Sequence, residues 1–133
     1  MAMAVSNFLA TALLNQVFRN TAYTRPTTVY LALYTSNPTA ADSGTEVSGG
    51  SYARQAITFG APAVVGGKQT ISNASDITFP TATADWGNIT HVGIRDASTG
   101  GNLLYYGPAE NPRSILNGDV IKLLAGSLAA NLN

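Results

Sequence analysis

The chain has 133 residues, with seven basic side chains against seven acidic ones, and charged residues make up only 11% of it. That length fits one domain, 1–133, able to bury a core without metals or disulfides, and the balanced charge argues against nucleic acid as a partner. The absence of cysteine excludes thiolate metal sites, thiol nucleophiles and a disulfide framework, while 45% hydrophobic residues and little repulsive charge favour permanent assembly.

The first charge is Arg19, so the N-terminus lacks the basic leader of a secretory signal. Ser6, Asn7, Thr11, Asn15 and Gln16 interrupt its apolar run, well short of the ~18 apolar residues of a membrane span. Assembly in the cytosol, with no membrane partner, is expected. Leu9, Leu13 and Val17, joined by Leu14 and Phe18, recur at the spacing of one helix face. They predict a helix over about 5–19, with Ser6 as N-cap and an end near Asn20, before the extended geometry that Pro26 imposes on Arg25. The stripe either covers a sheet of its own chain or docks onto a neighbouring subunit.

After Pro26 the period becomes two. Val29, Leu31 and Leu33 point one way and Tyr30, Ala32 and Tyr34 the other, so both faces of this strand should be covered. Asn37 to Ser51 follows as a loop of roughly 15 residues, a length that is usually functional, and it is the candidate arm that meets a partner. Further strands are expected over Tyr52–Phe59, Lys68–Ser72, Asp76–Phe79 and Trp86–Asp96, where Gly93 marks a bulge or a close backbone approach. Ser98-Thr99-Gly100-Gly101 should turn that strand into another over Gly101–Gly107. Asn117-Gly118, between Ile115-Leu116 and Val120-Ile121, is a type I′ hairpin signal, and a last apolar strand or pair runs towards Leu132. The expected class is mainly β: an antiparallel β-sandwich or jelly-roll-like domain over about 27–132, with one N-terminal α-helix.

No catalytic, cofactor-binding or metal-binding residue is assigned. His91 is the only histidine, so a hydrolytic triad would need it beside Asp85 or Asp96, and zinc lacks a ligand set. Gly66-Gly67-Lys68-Gln69-Thr70 fails the phosphate-loop pattern at both ends and reads as a β-turn between two strands. Asp42 with Glu46, or Asp96 with Asn102, offers oxygens to calcium without EF-hand spacing. Asp76, Asp85, Asp96, Glu110 and Asp119 show no spacing that singles out an acid–base pair. Asn73-Ala74-Ser75 and Asn88-Ile89-Thr90 match the glycosylation sequon. Trp86 is a core anchor or, with the tyrosines, a sugar platform in a small carbohydrate-binding domain.

Leu31-Ala32-Leu33-Tyr34, Gly49-Gly50-Ser51-Tyr52-Ala53-Arg54-Gln55 and Trp86-Gly87-Asn88-Ile89 running into His91-Val92-Gly93-Ile94 carry a resemblance over roughly Thr27 to Leu132. The chain resembles a family of small tailed-bacteriophage virion proteins, whose members are called tail-fibre-like proteins or capsid cement and decoration proteins. The resemblance implies a non-enzymatic structural protein without cofactors. Its leading expectation is a capsid cement protein on the shell exterior, a homotrimer bridging copies of the major capsid protein through several modest contacts; the alternative is a tail-fibre or tail-tip protein that meets a receptor. Expected contact residues are Leu9, Leu13 and Val17 on the helix, Tyr30 and Tyr34 on the first long strand, and Asn37, Asp42, Glu46 and Tyr52 in and beside the loop.

Overall fold

The computed structural model describes residues 3–132. The protein is mainly β, with antiparallel sheets and a single helix near the N-terminus. The elements in chain order are β1 (Ala4–Val5), α1 (Asn7–Phe18), β2 (Val29–Tyr34), β3 (Gln55–Ile57), β4 (Ala63–Val65), β5 (Lys68–Ser72), β6 (Ile77–Thr78), β7 (Gly87–Arg95), β8 (Leu103–Ile115), β9 (Lys122–Leu123) and β10 (Ala129–Leu132). A five-stranded sheet in the order β1-β8-β7-β2-β3 forms the body, accompanied by the smaller sheets β10-β5-β4 and β6-β9.

The two-sided alternation of β2 explains its central place. Leu31 and Leu33 enter the main core with Ile89, Val92, Ile94, Leu104 and Ile115, and the segment 77–86 closes over it with Ile77, Phe79, Ala82 and Trp86. On the opposite face Ala32 and Tyr34 pack with Leu103 and Tyr106. Gly93 lies in the same cluster, where a Cβ would stand 2.8 Å from both Leu103 Cδ1 and Tyr34 Cε1. Close approach therefore accounts for this glycine, and the register shifts of the β7–β8 pair fall on either side of it, between Ile89 and His91 and between Ile94 and Arg95.

Several strands depart from their expected limits. The strand expected over Tyr52–Phe59 is regular only over Gln55–Ile57. In contrast, β8 runs well past Gly107 to Ile115, through Pro108 and Pro112. Prolines survive there because β1 pairs only with Tyr105 and Tyr106, so the rest of that edge has no partner strand that requires an N–H. Gly66 and Gly67, with φ of 60° and 81°, join β4 to β5 through the two-residue connection that suits a type I′ hairpin.

The Asn117-Gly118 hairpin does not form. Gly118 alone has positive φ, at 94°, whereas type I′ needs it at both central residues. Asp119 N does close a turn onto Leu116 O at 2.9 Å, but Asn117 N donates to Asp85 Oδ1 and Gly118 N to Ala82 O. The segment after the turn is thereby drawn to 77–86, and β9 pairs with β6 instead of with β8.

Candidate interaction surfaces

Helix α1 begins at the expected cap. Ser6 accepts from Leu9 N at 3.1 Å through its Oγ and donates the same hydroxyl to Leu103 O, which fixes the start of the helix to β8. Leu9 packs against the main core and Leu13 is half-buried. No residue of α1 is fully buried, and the end of the helix carries Leu14, Val17 and Phe18 at 58%, 68% and 78% exposure. The expected stripe is thus divided: Leu9 faces the body and Leu13 is half-buried, while Val17 joins Leu14 and Phe18 in solvent. On another flank of α1, Phe8, Thr11, Ala12 and Asn15 with Ala22 and Tyr23 line a groove of about 470 Å³.

The loop from Asn37 to Ser51 is folded onto its own chain. Val47 N donates to Leu33 O at 3.0 Å, Thr35 N to Thr45 O at 2.9 Å, and Pro38 is buried. Two arginines hold it. Arg54 grips Glu46 with Nε and Nη2, each at 2.7 Å, and gives Nη1 to Ala97 O and Gly100 O at 2.8 Å. Arg95 grips Asp42 with Nη1 at 2.8 Å and Nη2 at 2.9 Å, and also donates to Tyr34 Oη and Gly101 O. Forked pairs of this kind fix orientation as well as charge. The loop is therefore clasped to the turn between β7 and β8, leaving Asn37, Ala41 and Ser43 exposed on a preset surface.

The charges follow from this geometry. Burial pulls Arg95 down, but its hydrogen bonds to Asp42 and Tyr34 carry it well above its usual range. Burial and then the hydrogen bond to Glu46 push the Tyr52 hydroxyl far above the usual tyrosine range. Burial alone would raise Glu46, yet the hydrogen bonds from Arg54 and Tyr52 hold its carboxyl below the usual 4.5. Glu46 thus contributes stability that is complete above pH 4.5 and is lost as pH falls through its lower folded value. The urea midpoint should keep this contribution above pH 4.5 and lose it progressively as pH falls below that value. Glu46→Gln should lower the midpoint at pH 7 and flatten part of the acid limb; an unchanged acid limb would remove Glu46 from the clasp.

Of the expected contact residues, Tyr34, Asp42, Glu46 and Tyr52 converge in this clasp, Tyr30 is half-buried in β2, and Asn37 accepts from Thr39 N in the loop. Arg54 and Arg95 were not singled out from the sequence. For Arg95 the signal was there: an arginine directly after the apolar run Val92-Gly93-Ile94, in a chain so poor in charge, calls for a counter-ion.

The competing chemistries do not assemble. His91 bonds Thr90 Oγ1 at 2.9 Å, while Asp85 accepts from Asn117 N and Asp96 from Asn102. The carboxylates considered for calcium, Asp42 and Glu46, face arginines. Trp86 lies in the core against Tyr52, with ring centroids 5.5 Å apart, and donates to Gly50 O, so it forms no surface platform. Asn73 of the first sequon is only 2% exposed and its amide donates to Ser75 O and Leu124 O; it is a structural residue, not a free acceptor. A concavity of about 630 Å³ has Ile89, Val92 and Ile115 in its wall and Glu110, Arg113 and Lys122 about it. Among the described residues, no helix is long and apolar enough to cross a membrane.

No curated protein matches the chain. The family described as Podophage GP4 fiber I protein gp80 matches residues 4–131, which takes in the helix, the clasped loop and all three sheets. The chain therefore belongs to the Podophage GP4 fiber I protein gp80 family, a family of tailed-phage virion structural proteins of fibre type.

Proposed function

We propose that this protein is a non-enzymatic fibre subunit at the tail of a phage particle, built as a homotrimer and presenting the rigid surface of the 37–51 loop to a partner or receptor. The family match carries the reading. The geometry supports it: two forked arginine pairs hold the loop before any partner arrives, which lowers the entropy cost of a contact, and the bare apolar end of α1 invites burial between copies. In the capsid-cement reading the same surfaces would face the major capsid protein.

Mass spectrometry of separated heads and tails distinguishes the two. The expected result is a low copy number confined to the tail fraction. Abundant copies on heads would overturn the tail placement and return the protein to cement, and absence from both fractions would sink the virion role. Light scattering of the purified chain should give three protomers.

A further inference from the structure

Asn117 is exposed and is followed by Gly118, a pair that occurs once in the chain. Glycine brings no side chain to shield its backbone nitrogen, so that nitrogen is chemically able to attack the asparagine before it. In the reaction a bond forms between Gly118 N and Asn117 Cγ, the Cγ–Nδ2 bond breaks, and ammonia leaves carrying the Gly118 amide proton. Water then opens the resulting succinimide ring. Opening at Cγ gives aspartate; opening at the main-chain carbonyl gives isoaspartate, with one extra methylene in the backbone. We infer that Asn117 is a latent deamidation site, which the fold holds shut and which reacts only when the 79–86 segment lifts from the turn.

The geometry of the turn carries this. Gly118 N donates to Ala82 O at 2.7 Å, and Ala82 is buried, so the proton that the attacking nitrogen must shed is already engaged on the inside. On the other side of the reacting residue, Asn117 N donates to Asp85 Oδ1 at 2.9 Å. The two segments are laced together around these bonds: Phe79 N reaches Ile121 O at 2.9 Å, Ala82 N reaches Asp119 O at 2.9 Å, and Trp86 N reaches Ile115 O at 2.8 Å. Gly118 N is therefore freed only by a local opening, and the reaction rate follows the population of the open form. The step is also one-way. Either product places a new carboxylate beside those of Asp85 and Asp119, which hold the N–H groups of Asn117 and Leu116, and isoaspartate lengthens the turn as well. A chain that opens and reacts does not rebuild the same lacing over the core.

The full chain is incubated in mildly alkaline buffer, folded or in concentrated urea, and the peptide containing Asn117 is followed by mass spectrometry. The expected result is conversion of Asn117 in urea, mainly to isoaspartate, and conversion roughly tenfold slower or more in the folded chain. Asp85→Ala, which deletes one of the two bonds on the turn, should speed the folded reaction about fivefold and leave the rate in urea unchanged. Asp85→Asn keeps an acceptor oxygen and should stay near wild type, with the near-UV signal of the buried Trp86 reporting the fold of each variant. Equal rates for folded and unfolded wild type would overturn the protection without any variant being needed. No conversion in urea would remove the site itself. A folded rate unchanged by Asp85→Ala, or raised as much by Asp85→Asn, would overturn the role of the 79–86 segment in holding it shut.

Discussion

Asn73→Ala should be among the most destabilising single substitutions in this protein. Asn73 sits between β5 and β6, and its backbone and side chain together staple that crossing to the C-terminal segment. Its amide donates to Ser75 O at 2.9 Å and Leu124 O at 3.0 Å, its Oδ1 accepts from Leu128 N at 2.9 Å, and its backbone pairs with Leu128 and Gly126. Leu128, beside it, is fully buried in the core. Alanine deletes three side-chain hydrogen bonds and leaves the buried Leu128 N–H without its partner, at about 2–4 kcal/mol in total. For a chain of this size that corresponds to roughly 10 °C in melting temperature. Asn73→Asp is the informative companion: it keeps the acceptor for Leu128 N but turns donors into an anion facing two carbonyls. A thermal melt in which Asn73→Ala shifts by less than about 2 °C would show that water replaces the staple.

Arg95→Met should be comparably costly, with a more local consequence. The substitution keeps much of the apolar length but removes the fork on Asp42 and the donors to Tyr34 Oη, Gly100 O and Gly101 O. Asp42 is partly exposed and regains water, whereas the Tyr34 hydroxyl stays inside, so most of an expected loss of about 2–4 kcal/mol comes from unpaired buried groups and not from the lost charge pair. Hydrogen exchange should rise over 37–46 while β7 and β8 keep their protection. Arg95→Lys should rescue little, because a single ammonium cannot reproduce the fork. Uniform exchange across the whole sheet would mean that Arg95 supports the core generally and that the loop has no clasp of its own.

Much of the local structure was legible in the residue order. The helix and its Ser6 cap follow from a period of nearly four and a side-chain oxygen placed just before it. The two buried faces of β2 follow from apolar residues on both phases of a period of two. Gly93 was legible because a glycine weakens a strand interior unless a bulge or a close approach calls for it, and Ser98-Thr99-Gly100-Gly101 does join β7 to β8. The hairpin at Asn117-Gly118 was misread because its turn chemistry is local whereas its neighbours are not: Asp85 and Ala82, more than 30 positions earlier, take the N–H groups of Asn117 and Gly118.

The sequence by itself determined the class, mainly antiparallel strands behind one helix, because side-chain periodicity and turn residues act over a few positions. It also pointed to the phage virion family through motifs carried on those elements. Only the tertiary structure decided what the loop and the helix do. Arg95 meets Asp42 across 53 positions and Arg54 meets the β7–β8 turn across more than 40, pairings that no local pattern encodes, and they turn a polar linker into a fixed surface. The stripe on α1 was visible as a pattern, but which of its residues stay in solvent depends on how far β8 reaches beneath the helix. Leu9 packs on the core and Leu13 is half-buried, while Leu14, Val17 and Phe18 stay bare.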